Sequence, residues 1–185
     1  MHVVARIALP LLLLVAVARP LFAELSSPSS PLAGTWRLDP ARSTELSPWK
    51  TLELTFVIDA QRLVLRRSFG WGRRVFAEEF ALDLSRDVNL VPITWWPDNR
   101  HLGAYAGGDL TKRVRTTWMN DGRLLRLSSD LILDTQQGPR SVNILSDYKV
   151  SANGALLTLT ELRSTRNRPT IYVFTRVSAA SGLQK

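Results

Sequence analysis

The sequence contains no cysteine. Disulfides, a thiol nucleophile, thiolate-bound metals and the lipid-modified cysteine of a bacterial lipoprotein are therefore excluded. Histidine is nearly absent too, because His101 is the only one after residue 23, and a single histidine without cysteine cannot build a typical zinc site. No glycine-rich phosphate loop and no Gly-x-Ser-x-Gly elbow is found. We expect no cofactor, no metal and no enzymatic activity; a hydrolase-like alternative would need His101 beside a carboxylate and a nucleophile.

Long hydrophobic runs are also missing, except for one near the N-terminus. Residues 1–23 have the three parts of a signal peptide: Arg6, an apolar run over 7–18, and the small residue Ala23 before a cut. The run is shorter than the roughly 20 residues that a membrane-spanning helix needs. We predict export to the periplasm or outside the cell after cleavage. Anchoring in the inner membrane by an uncleaved leader is the alternative.

Acidic residues are fewer than basic ones, and the formal net charge is +8. Removal of the leader takes away Arg6 and Arg19 and no acidic residue, so the remaining chain carries +6. Such an excess suits an anionic lipid surface, a polyanion or an acidic ligand, although scattered charge is also typical of an ordinary solvated surface. Nucleic acid is not an expected partner of an exported protein. The oligomeric state is left open.

The rest of the chain is organised by short alternating segments and turn signals. Residues 24–32 form a Ser/Pro-rich linker, residues 33–178 a single β domain, and residues 179–185 a polar tail. Residues 51–59 alternate as a half-buried strand does, with one face formed by Leu52, Leu54, Phe56 and Ile58 and the other by Thr51, Glu53, Thr55 and Val57. Turn signals recur at Gly70-Trp71-Gly72, Asn120-Asp121-Gly122 and Ala152-Asn153-Gly154.

These signals predict about eight to ten antiparallel strands joined by hairpins, with no long helix. A meander of that length removes its unpaired edges by closing on itself. We therefore predict a single up-and-down β-barrel, with a two-sheet β-sandwich as the alternative. Residues 84–108 are irregular and long for a compact domain, and loops of that kind are often functional.

Two short motifs carry a resemblance to a known group of folds. Gly34-Thr35-Trp36 resembles the Gly-x-Trp signature of the first lipocalin strand, and Ser146-Asp147-Tyr148 resembles the middle Thr-Asp-Tyr motif of that group. The chain is thus similar to lipocalin-like β-barrels, including small exported bacterial domains of unassigned function. The resemblance implies that Trp36 plugs one end of the barrel and that Arg176, near the C-terminus, stacks on it. Gly34, Trp36 and Arg176 are accordingly assigned to barrel closure.

Candidate ligand-binding residues follow from aromatic and basic side chains. Trp95, Trp96 and Tyr105 lie in the irregular segment, where exposed aromatic rings suit a binding contact, with loop packing as the alternative. Arg67 shares a strand face with Leu63, Leu65 and Phe69. If that face is internal, Arg67 can hold a carboxylate; otherwise it pairs with an acid such as Glu78 in solvent. Trp118 is either part of a ligand pocket or part of the core.

The sequence therefore predicts an exported barrel that binds a small apolar or amphiphilic ligand, anionic ligands included. A cell-envelope interaction or structural module with a filled core is the alternative. A binding barrel requires an interior cavity of a few hundred Å³, whereas a filled module predicts exposed rings near Trp71 or Trp95-Trp96.

Overall fold

The computed structural model describes residues 30–44, 49–94 and 105–178, and within them the all-β prediction is confirmed. The predicted signal peptide, the first residues of the linker and the polar tail lie outside these ranges, as do Trp95, Trp96 and His101. A short 3-10 helix covers Pro40–Arg42. The strands are β1 (Gly34–Leu38), β2 (Thr51–Ile58), β3 (Arg62–Trp71), β4 (Arg74–Asp83), β5 (Asn89–Pro92), β6 (Tyr105–Ala106), β7 (Thr111–Met119), β8 (Leu124–Thr135), β9 (Gly138–Val150), β10 (Leu156–Arg163) and β11 (Thr170–Arg176).

All these strands belong to one antiparallel sheet, so the barrel prediction is confirmed and the sandwich alternative is wrong. The order is β4-β3-β2-β1-β11-β10-β9-β8-β7-β5, with β6 on the far part of β8. The first and last strands of the chain pair with each other, and Trp36 lies opposite Arg176. This pairing joins the two halves of the meander, as closure requires.

The barrel has one seam, between β4 and β5, where no backbone ladder forms among the described residues. Instead β5 pairs with β7, which departs from a simple meander within the irregular segment. The side chain of Asn89 bridges the seam: its Oδ1 accepts a hydrogen bond from the Asp83 amide at 2.8 Å, and its Nδ2 donates to the Asp83 carbonyl at 3.0 Å. The side-chain amide of Asn89 therefore makes the two hydrogen bonds to the Asp83 backbone that a neighbouring strand would otherwise make.

The buried apolar side chains of the barrel interior form two separate clusters. A main core of large apolar side chains, including Trp36, Phe56 and Phe174, fills one part. A second apolar cluster consists of Leu131, Leu133, Val142 and Ile144, with Ile93 against it. On β8 and β9, Ser129 and Ser146 lie between the two, at positions where the strict alternation of the strands directs the side chain inward.

The connections between strands fall at two ends, because neighbouring strands run in opposite directions. Residues 59–61, 84–88, 120–123 and 151–155 lie at the end near Trp36, which we call the Trp36 end. The described parts of 39–50, 72–73, 93–104, 107–110, 136–137 and 164–169 lie at the other end, which we call the arginine-rich end. The tip of the β3–β4 hairpin is Gly72-Arg73, one residue later than the glycine signal indicates, because β3 continues through Trp71.

Among the described residues, no helix is long and apolar enough to cross a membrane.

Candidate functional site

Trp36 and Arg176 form a stacked pair at the Trp36 end. The guanidinium carbon of Arg176 lies 4.1 Å from the centroid of the Trp36 ring, and the ring is fully buried. Arg176 also donates to the carbonyls of Ala33 at 2.8 Å, Gly154 at 3.1 Å, and Pro31. The guanidinium thus joins the strand that opens the barrel to the β9–β10 turn while it covers the indole.

Gly34 is needed where it stands. Its φ is +114°, a conformation that residues with a side chain rarely adopt. A Cβ at this position would lie 3.0 Å from Nη1 of Arg176. Leu32 extends the closure further, since it is 1% exposed and its carbonyl accepts a hydrogen bond from Nε1 of Trp36 at 2.9 Å. The packed part of the chain therefore begins inside the segment assigned to the linker.

The interior contains a cluster of charged side chains, which we call the interior polar cluster and which surrounds a small cavity. The cavity measures about 60 Å³. Its apolar walls come from both clusters and from Phe80. The charged members of the interior polar cluster are Arg67, Glu78, Lys112, Glu161 and Arg163, and Ser129, Ser146 and Tyr148 lie beside them.

Glu78 is the shared partner of two cations. Its Oε2 accepts hydrogen bonds from Nη2 and from Nε of Arg67, the latter at 3.1 Å, and its Oε1 lies 3.4 Å from Nζ of Lys112. Burial favours the neutral form of this carboxyl, but Arg67 and Lys112 together lower its pKa below the ordinary value. Burial likewise opposes the charge of Arg67, but Glu78, together with Tyr148 and Glu161, outweighs it and raises the pKa of Arg67.

Lys112 has the weakest pairing in the cluster. Burial, reinforced by the charge of Arg67, lowers its pKa to about 8, and Glu78 only partly offsets this. The ammonium nitrogen also lies 4.3 Å from the centroid of the Phe80 ring, in cation–π contact. Lys112 is therefore a buried cation that is still protonated at neutral pH, although burial disfavours its charged form.

Glu161 and Arg163 complete the cluster from β10. Nε and Nη2 of Arg163 lie 2.8 and 2.6 Å from the same carboxylate oxygen of Glu161. Burial raises the pKa of Glu161, with Arg67, Arg166 and Lys112 acting in the opposite direction. Burial also raises the pKa of the Tyr148 hydroxyl, which stays protonated and available as a donor. Among the described cavity residues, three cations therefore face two carboxylates.

Of the described residues that the sequence suggests for ligand binding, Arg67 lines the cavity, whereas Trp118 and Tyr105 do not. Arg67 faces the interior and pairs with Glu78, so it combines features of both alternatives considered for it. Trp118 packs against the main core and does not line the cavity. Tyr105 is 60% exposed on β6 and does not line it either. Trp95 and Trp96 lie outside the described residues.

Sequence reasoning missed Lys112, Glu161 and Arg163 as interior residues. The alternation of the strands contained the signal, because Lys112 is in phase with Val114, and Glu161 is in phase with Leu157 and Leu159. The neighbours Glu78 and Glu79 face opposite sides of the sheet, as alternation along a strand requires, and Glu79 pairs with Arg66 on the outer surface. Charge at an inward position was read as surface charge, which is the commoner case.

The chain was compared with family models, curated proteins and solved structures. No protein-family model matches the chain, and no curated protein matches it. Among solved structures, the chain is similar to the crystal structure of secretory abundant heat soluble protein 4 from Ramazzottius varieornatus, at 10% sequence identity and a TM-score of 0.49. The match covers 80% of this chain and 96% of that one.

Proposed function

We propose that this protein is an exported, lipocalin-like barrel that binds a small anionic amphiphile, with the head group in the interior polar cluster. The observation that carries the proposal is the charge of that cluster, in which Arg67 and Lys112 share one carboxylate. A buried cation with incomplete pairing is costly, and an anionic ligand would offset that cost. The proposed role is binding, without catalysis, in the periplasm of a bacterial cell.

The size of the cavity limits how such a ligand sits. About 60 Å³ accommodates a few water molecules or a carboxylate, whereas pockets that enclose drug-sized molecules measure roughly 300–1,000 Å³. The cavity volume is well below the few hundred Å³ expected of a binding barrel, so only a head group and the first carbons of an acyl chain would fit within the cavity. Those carbons would lie beside Ile93, Leu131 and Ile144, which also line the cavity, and the rest of the chain would lie outside it.

Hydrogen-bond donors in the cavity support a carboxylate or phosphate head group. Lys112 supplies an ammonium group with at most one acceptor among the described side chains, and the hydroxyl groups of Ser129, Ser146 and Tyr148 are neutral donors. A cationic head group would instead meet an excess of like charge.

Titration with matched amphiphiles tests the proposal. Decanoate and decyltrimethylammonium have the same chain length and opposite charge, and acetate has the head group without the chain. We expect saturable binding of decanoate, followed by calorimetry and by native mass spectrometry, and much weaker binding of the other two. Equal affinity for the two decyl compounds would contradict an anion site.

The filled-core interaction module is the second candidate function. It is favoured by the small volume of the cavity and by the 41% exposure of Trp71 at the β3–β4 tip. Under this alternative, neither decyl compound binds in the interior, and the protein copurifies without a bound small molecule. The same titration therefore separates the two candidates.

A further inference from the structure

We propose that the arginine-rich end docks on the surface of an anionic lipid bilayer. The described connections at that end contain five basic residues and two acidic ones, namely Arg42, Lys50, Arg73, Arg166 and Arg168 against Asp39 and Asp109. The described connections at the Trp36 end contain two basic residues and three acidic ones, Arg86 and Arg123 against Asp59, Asp87 and Asp121. The barrel is thus electrostatically polarised along its axis.

Partners within the protein account for little of this positive charge. Arg42 pairs with Asp39, but Lys50, Arg73 and Arg168 form no ion pair with another described residue. Arg74, the first residue of β4, adds another exposed cation opposite Trp71 across the hairpin. Unpaired basic side chains clustered at one end favour a negatively charged surface over a small ligand, because their charges are spread over several separate turns.

Apolar side chains accompany the basic ones at the β3–β4 hairpin tip. Trp71 is 41% exposed and Val75 is 70% exposed, and Arg73 and Arg74 lie between them in sequence. Tryptophan beside arginine is typical of the boundary between lipid head groups and acyl chains, where the indole lies among the head groups and the guanidinium contacts phosphates. A bilayer surface accounts for both features of the tip, whereas a soluble polyanion accounts for the charge alone.

This inference does not depend on the interior site, so the two can fail separately. The test uses the chain from Glu24 onward, which keeps every described residue and removes the hydrophobic leader. Its binding is measured by co-flotation with vesicles of phosphatidylcholine alone, or of phosphatidylcholine and phosphatidylglycerol in equal amounts. We expect binding to the second kind only, with a loss of affinity as the salt concentration rises.

Two matched charge reversals locate the surface. Arg73→Glu with Arg74→Glu changes the arginine-rich end, and Arg62→Glu with Arg123→Glu makes the same change in net charge at the Trp36 end. We expect the first pair to weaken vesicle binding by tenfold or more and the second to weaken it far less. All four side chains are exposed, and thermal unfolding of each variant checks that the fold is kept.

The fluorescence emission of Trp71 provides a second measurement, which reports contact of the indole with the bilayer and does not depend on charge alone. Its emission is the difference between the spectra of the wild-type protein and a Trp71→Phe variant, and it should be quenched by brominated lipid chains in the anionic vesicles. Equal loss of binding in the two charge-reversed pairs would overturn the proposal. So would binding to heparin without binding to vesicles, or Trp71 emission that bound vesicles leave unquenched.

Discussion

Lys112 and Glu78 come from strands that share no backbone hydrogen bonds, yet Nζ of the first lies 3.4 Å from Oε1 of the second. Glu78 lies on β4 and Lys112 on β7, so their contact crosses the seam inside the barrel. Asn89 crosses the same seam near the Trp36 end through the backbone of Asp83. Side chains of β5 and β7 therefore hold β4 against the other side of the seam, where no backbone ladder forms among the described residues.

Lys112 should make the stability of the fold depend on pH. Its pKa is about 8 in the folded protein and 10.5 when unperturbed, so between these values the unfolded chain holds a proton that the folded chain has released. Stability therefore rises as the pH increases through this window, by up to about 3 kcal/mol. Urea unfolding at several pH values measures it, and the Lys112→Met variant should lack this increase. A difference between the two proteins that stays constant from pH 7 to 10 would refute the assignment.

Glu78 and Glu79 offer a comparison between neighbouring carboxylates. Glu78→Gln leaves Arg67 and Lys112 buried without the carboxylate that they share and should cost about 3 kcal/mol or more in unfolding free energy. Glu79→Gln removes only an exposed pair with Arg66 and should cost less than about 1 kcal/mol. Chemical denaturation of both variants gives the comparison, and similar losses would show that Glu78 is not effectively buried.

We expect the substitution of Trp36 to reduce the stability of the fold, and any effect on ligand binding to follow from that loss of stability. Trp36→Ala removes a fully buried ring and should cost about 3–5 kcal/mol. Arg176→Ala exposes the ring and loses three hydrogen bonds to carbonyl groups, so it should also destabilise, whereas Arg176→Lys keeps the charge without the planar stack. Thermal unfolding ranks the variants. A Trp36→Ala protein that is as stable as the wild type but has lost ligand binding would reverse the assignment of Trp36 to closure.

Alanine substitutions of Gly34 and Gly72 distinguish the cost of backbone strain from the cost of a steric contact with a neighbouring side chain. Both have positive φ, at +114° and +59°, but a Cβ on Gly72 meets nothing within 4 Å, while one on Gly34 meets Arg176. Gly72→Ala should cost about 1 kcal/mol for the conformation alone. Gly34→Ala should cost clearly more, and part of that extra cost should disappear when Arg176 is also changed to Ala. Strictly additive losses in this double-mutant cycle would show that the two residues do not interact.

The sequence was sufficient for the parts of the fold that depend on local pattern. Alternation over residues 51–59 corresponds to β2, and Asn120-Asp121-Gly122 forms its turn with all three residues at positive φ. The pairing of β5 with β7 was not predictable, because Pro92 and the irregular segment around it carry no register signal. Trp49 was not expected in the core either, since it precedes β2 and packs against Phe69 and Phe76 from outside the strand pattern.

The interior polar cluster shows a different limit of sequence reasoning. Arg67 was recognised as a candidate because three apolar neighbours shared its face. Glu78 and Lys112 are 34 positions apart, and their contact exists only because the sheet curls until β4 meets β7. Long-range register of this kind is set by closure of the whole barrel and by no local signal.

The most direct test of an anionic ligand site compares the affinity for decanoate of two variants on the same strand, one of a lysine and one of an arginine. Lys112→Met removes the interior ammonium group, and Arg113→Met removes the adjacent charge, which is exposed on the outer surface. Calorimetric titration at pH 7 should give binding at least about tenfold weaker for Lys112→Met and unchanged binding for Arg113→Met. Equal affinity in the two variants would contradict the placement of the head group in the barrel interior.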